Sequence, residues 1–165
     1  MNMKKTELLL LALGFILISC TEDNPPPNCG TIKFSWKANG VFYEGASNYH
    51  FLPTPGGHHS YGFSACTASS NIPSLSIRLH DPIGVGTYAL MDINDADFPN
   101  TGDGSYLDGT GSGYYGTDST HTGTVNITAF NTDSAITGTF SYEALHSTSS
   151  NIMSITEGTF TTIPY

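Results

Sequence analysis

Alternation with a period of two runs along the chain from Thr31 onward and restricts the fold more than any other feature. Ile32, Phe34 and Trp36 alternate with Lys33, Ser35 and Lys37, the pattern of a strand with one face against a core. Ala38-Asn39-Gly40 comes next, and Asn-Gly supplies the positive φ values of a tight hairpin, so Val41-Phe42-Tyr43 reads as the returning strand. Further strand-like runs are Tyr61 to Thr67, Leu75 to His80, Thr87 to Met91, Thr124 to Phe130, Ala135 to Ala144 and Ile152 to Ile163. Turn formers at Asn131-Thr132-Asp133 and His146 to Asn151 divide the last three. No stretch sustains helical periodicity, and only Ile93 to Phe98 leaves room for a short helix.

This pattern predicts an all-β domain, an antiparallel β-sandwich of about eight to ten strands, with a lipocalin-like β-barrel as the alternative. The expected core is Phe34, Trp36, Phe42, Phe63, Leu75, Ile77, Leu79, Tyr88, Val125, Ile127, Phe140, Tyr142, Ile155 and Phe160. Gly123-Thr124-Val125, Gly138-Thr139-Phe140 and Gly158-Thr159-Phe160 repeat a glycine and a threonine before an apolar residue. Their unequal spacing rules out a solenoid of fixed period. Each glycine instead marks a bulge or a close backbone approach in successive antiparallel strands.

The segment before this domain has a different character. Lys4 and Lys5 precede an apolar run from Leu8 to Ile18, and the small Ser19 precedes Cys20. These are the parts of a secretory signal over residues 1–19, too short for a stable membrane span of about 20 apolar residues. Residues 20–30, ending Asn24-Pro25-Pro26-Pro27-Asn28-Cys29-Gly30, are polar and proline-rich and read as a semi-rigid tether to the domain at 31–165.

The formal net charge is −9. The signal contains Lys4, Lys5 and Glu7, so the chain without it is more acidic still and keeps only Lys33, Lys37 and Arg78 as cations. Nucleic acid is excluded as a partner, because displacing phosphate counterions needs clustered Lys and Arg. Adhesion to anionic lipid through protein charge is excluded for the same reason, leaving a lipid on Cys20 as the link to a membrane. With Cys20 so assigned, Cys29 and Cys66 remain in an oxidising compartment as a candidate disulfide. The alternative is a buried Cys66 thiol and a free Cys29.

The richest loop region is Asp92 to Asp118. Asp92, Asn94, Asp95 and Asp97 are closely spaced oxygen donors, yet Ala96 stands where a calcium loop needs a ligand and Asp97 where it needs glycine. Solvated turns are the expectation, and no metal site is assigned. Tyr106, Tyr114 and Tyr115 among flexible glycines are the candidate ligand-binding residues, since exposed tyrosines beside Asp and Asn stack on sugar rings. Against this, Gly111-Ser112-Gly113-Tyr114-Tyr115-Gly116 also reads as an edge strand or hairpin with at least one ring packed inward. His50, His58, His59, His80, His121 and His146 are expected at the surface. Gly-x-Ser-x-Gly, His-Glu-x-x-His and a phosphate loop are absent, so no catalytic residue, no cofactor and no enzyme activity are assigned.

Leu17-Ile18-Ser19-Cys20 resembles the bacterial lipobox, in which the cysteine is lipidated and becomes the first residue of the mature protein. Glu22 and Asp23 are similar to the export signal that sends Bacteroidota lipoproteins to the outer face of the outer membrane. Asp118-Ser119-Thr120 and Asp133-Ser134-Ala135 are similar to the acceptor tripeptides of Bacteroidota O-glycosylation. The Ser35 to Tyr43 opening, the Gly86-Thr87-Tyr88-Ala89-Leu90 centre and the Gly123 to Tyr165 ending together resemble small Bacteroidota outer-membrane lipoproteins of unknown function.

That resemblance implies an outer-membrane lipoprotein with an all-β domain and brings no catalytic residues, while Glu22 and Asp23 point the lipid-anchored domain to the cell surface. The expectation is a monomeric, non-enzymatic binding module with glycan as the ligand class. The alternatives are an envelope glycoside hydrolase and a structural assembly partner. Coplanar exposed tyrosines would favour glycan binding; two facing carboxylates in a concave pocket would favour hydrolysis.

Overall fold

Asn39 and Gly40 take φ values of 46° and 83°, and the hairpin they turn starts the fold. The structure is a computed structural model that describes residues 33–53, 59–66, 73–82, 84–92, 101–110 and 113–162, with backbone alone at 47–53, 59 and 66. The expected signal at 1–19, Cys20, the tether, Cys29, the Cys66 side chain, His58 and the 93–98 segment lie outside the described residues. The strands are β1 (Lys33–Ala38), β2 (Val41–Pro53), β3 (His59–Cys66), β4 (Ser74–His80), β5 (Gly86–Leu90), β6 (Thr101–Leu107), β7 (Tyr114–Gly116), β8 (Gly123–Asn131), β9 (Ala135–His146) and β10 (Ile152–Thr162). All described regular structure is β, as the alternation predicts.

The pairings form one sheet that closes on itself. β10, β1, β2, β3, β4 and β6 are antiparallel neighbours in that order, and β8, β9 and β10 continue the ring on the other side. β5 lies between β6 and β8, parallel to β6 through Ala89↔Thr101 and Leu90↔Gly102 and antiparallel to β8. β7 and β8 occupy one strand position in succession, both antiparallel to β9. The ring closes through β9 and β10, so the pairings are those of the barrel alternative rather than of two stacked sheets. Within its wall β6, β5, β8, β9 and β7 make a smaller closed ring. Thr117, just after β7, ties this ring together: its Oγ1 accepts from Gly104 N–H and donates to Met91 O, and its N–H donates to Gly104 O.

The barrel interior is packed. A ring of about eight strands is just wide enough for side chains to fill, and here aromatics do so. Phe34 lies 5.2 Å from Phe140, Phe63 lies 4.9 Å from Phe160, and Trp36 meets Phe34 edge-on at 5.9 Å. Rings of this size need room, and the repeated glycines provide it. A Cβ on Gly138 would lie 2.7 Å from Phe160 Cζ, and one on Gly158 would strike the Phe140 ring. In two of the three Gly-Thr repeats the glycine thus sits beneath an aromatic ring from the neighbouring strand, whereas a Cβ on Gly123 would strike the Tyr142 Cβ and the Ser141 carbonyl.

Three expectations change. Phe42 is 58% exposed, because its neighbour Tyr43 turns inward to stack on Trp36 at 5.7 Å. Residues 101–107, placed within a loop region, are the strand β6, while 114–116 form the strand β7, in line with the edge-strand reading of 111–116. Glycine suits that wall, since a Cβ on Gly104 would meet the Tyr142 ring at 3.1 Å and one on Gly102 would strike the Arg78 backbone. Finally, Tyr106 and Tyr115 are core residues, 3% and 8% exposed.

Candidate functional site

Alternation along β6 and β7 decides where each tyrosine points. Tyr106 and Tyr115 are cross-strand partners with ring centroids 6.0 Å apart inside the barrel. Burial, with Tyr43 and Asp108 nearby, pushes the Tyr106 phenol well above its ordinary value. Tyr114, one residue along, faces outward and is 41% exposed. The three rings therefore do not form one exposed platform, and Tyr114 alone of them is available to a ligand.

Tyr114 forms one side of a cleft of ≈ 220 Å³ on the outer wall. Gly116 and Leu145 line it with Tyr114, and the ring lies against Gly116, where a Cβ would meet Tyr114 Cε1 at 3.6 Å. Asp103, Thr117, Asp118, His146 and Ser147 supply polar groups. The cleft sits where β7 gives way to β8, so the interrupted strand position is what opens the wall.

Asp103 is held from behind by β4. Arg78 and Asp103 are cross-strand partners, and Arg78 Nε donates to Asp103 Oδ2 at 2.8 Å. His80 Nε2 lies 3.7 Å from the same oxygen, while its Nδ1 is 3.0 Å from Ser60 Oγ across the β3–β4 pairing. The imidazole thus sits between the Ser60 hydroxyl and the Asp103 carboxylate, one ring nitrogen turned to each. Burial lowers the His80 pKa, with the Asp103 charge pulling the other way. His80 is therefore part of a buried polar network, against the expectation of a surface residue. Ser60, His80 and Asp103 combine the residue types of a hydrolytic triad, but Ser60 is 2% exposed, too enclosed for a substrate carbonyl to reach its hydroxyl.

Asp118 is held by its own turn. Its Oδ1 accepts from the backbone N–H groups of Thr120 and His121 at 2.7 and 2.6 Å, and from the Thr120 hydroxyl at 2.8 Å. His121 Nδ1 lies 3.0 Å from both carboxylate oxygens. These bonds, the His121 N–H first among them, hold the carboxyl far below the usual range. The turn leaves Ser119 and Thr120 exposed.

His146 closes the cleft at the end of β9, its ring edge-on to Tyr115 at 4.8 Å and its Nδ1 accepting from Thr148 N–H at 3.2 Å. Among the described residues no cluster of three or more His, Cys, Asp or Glu could hold a metal.

Of the sequence candidates, the cleft keeps Tyr114. It adds Asp103 and Asp118, with Arg78 and His80 behind them, and none of these was singled out as a site residue from sequence. Arg78 and His80 share the polar face of an alternating strand, which was a visible signal. Their meeting with Asp103 depends on the β4–β6 register, which is visible only in the paired sheet.

No curated protein and no solved structure matches the chain. A family model described as a domain of unknown function, DUF6252, matches residues 58–164, a span that takes in the whole cleft and the wall from β3 to β10. The chain belongs to the DUF6252 family.

Proposed function

We propose that the chain is a non-enzymatic, lipid-anchored binding module of the cell envelope, held at Cys20 and taking a glycan in the Tyr114 cleft. The observation that carries this reading is an exposed aromatic ring over a glycine floor, with carboxylates beside it. A sugar needs an apolar face for its C–H groups and acceptors for its hydroxyls. The packed interior supports an outer site as well, because no space among the described core rings is left for a carried ligand. A glycosidase would need a carboxyl able to give up a proton near neutral pH. Asp118 is held far on the ionised side, and Asp103 is committed to Arg78.

Binding of the full chain to a glycan array, set beside Tyr114→Ala, tests the ligand class. The expected result is a defined subset of bound glycans that the variant loses with its melting temperature unchanged. A folded chain that binds none contradicts the reading. Radiolabelled palmitate incorporation that disappears in Cys20→Ala tests the anchor.

A further inference from the structure

The Asp103 side chain is only 10% exposed, yet just one of its oxygens is committed. Oδ2 takes Arg78 Nε and faces His80 Nε2, while Oδ1 has no hydrogen-bond partner among the described residues. Among the described residues the buried polar side-chain atom without a partner is Trp36 Nε1 and not Asp103 Oδ1, so this oxygen is not sealed off; as Asp103 lines the cleft, Oδ1 is open there to solvent or to a ligand. Arg78 also fixes the carboxylate plane, so the acceptor is rigid before any ligand arrives.

The charge around it narrows the ligand. Asp103 and Asp118 both line the cleft, no Lys or Arg among the described residues does, and the Arg78 guanidinium is already paired. A negatively charged ligand would be drawn in by no unpaired cation and repelled by two carboxylates. Resting on the glycan reading, we infer that the cleft selects an uncharged or amino-bearing sugar and rejects uronates and sulfated sugars. Asp103 Oδ1 accepts a ring hydroxyl or ammonium proton, and Tyr114 stacks on the opposite face.

Calorimetric titration of the full chain with soluble oligosaccharides of neutral hexoses, of hexosamines and of hexuronates tests this. Neutral or amino oligosaccharides are expected to bind, with hexuronates at least tenfold weaker and only the amino series weakened by added salt. Asp103→Asn should lose about tenfold in affinity for the preferred series, and Tyr114→Ala should lose binding while melting like the native chain. Should Asp103→Asn fail to fold, the ratio between series in the native chain and the Tyr114→Ala result decide. Hexuronates bound as tightly as neutral sugars, with Tyr114→Ala abolishing both, would overturn the selectivity and leave the glycan reading standing. Binding by none of the three series would overturn the glycan reading itself.

Discussion

Gly138→Ala adds one methyl group where the barrel has no room for it. The new Cβ would sit 2.7 Å from Phe160 Cζ and 2.6 Å from Asn126 O, against a comfortable separation of about 3.5–4.0 Å. The ring must retreat by roughly 1 Å to restore contact. It is enclosed by Phe63 at 4.9 Å, Phe34 at 6.1 Å and Phe140 at 6.3 Å. Overpacking of this kind costs about 1–3 kcal/mol, and replacing a strand glycine returns about 0.5–1 kcal/mol of chain entropy. The Asn126 carbonyl belongs to the backbone and cannot swing aside, which places the overpacking in the upper half of its range. The net loss is about 2 kcal/mol, a fall in melting temperature of about 4–8 °C for a chain of this size. Urea titration measures the loss, and a double-mutant cycle with Phe160→Leu assigns its cause. Shortening the ring should relieve the clash, so the double variant is more stable than the sum of the singles by about 1 kcal/mol. Additive effects, or a stabilising Gly138→Ala, would refute the pairing of Gly138 with the ring laid across it.

Glu157 lies in the β10 irregularity at φ 50°, so Glu157→Gly should stabilise by up to about 1 kcal/mol despite losing its exposed ion pair with Lys37, a gain readable in chemical denaturation. Because burial lowers the folded His80 pKa, the unfolded chain binds the proton first; stability should fall as pH drops below about 6.5, and His80→Gln should flatten that part of the pH–stability curve. Asp118 works at the other end of the scale: its depressed pKa gives stability that is full above the ordinary carboxylate value and declines only in strong acid, a decline that Asp118→Asn should remove. Tyr115→Ala should cost about 3–5 kcal/mol in thermal unfolding, whereas Tyr114→Ala should cost under about 0.5 kcal/mol.

How much of the fold was visible in the chain depends on whether a signal is local. The Asn39-Gly40 hairpin and the alternation of Leu75, Ile77 and Leu79 are local, and both are where the pattern puts them. The Gly-Thr repeats announced close approach without naming the atoms that cause it. Gly102 and Gly104 misled, since a glycine that admits the Arg78 backbone or the Tyr142 ring looks the same in sequence as one that serves a loop. Phe42 misled for a related reason: with Val41, Phe42 and Tyr43 all apolar, composition cannot say which parity faces Trp36. Tyr106 and Tyr115 share this ambiguity, and only the β6–β7 register turns them inward. The Arg78–Asp103–His80 network joins strands 25 residues apart in sequence, so no spacing rule could have collected it.

The claim that any ligand sits outside a filled barrel, against Tyr114 and Asp103, is tested most directly by a map of amide and indole shifts. The full chain would be titrated with the oligosaccharide that binds best on the array. Shifts confined to residues 103–104, 114–118 and 145–147, with the Trp36 indole unmoved, are the predicted result. Movement of the Trp36 indole and the Phe63 and Phe160 amides, with the cleft silent, would mean that the ligand enters the barrel and would contradict the outer site.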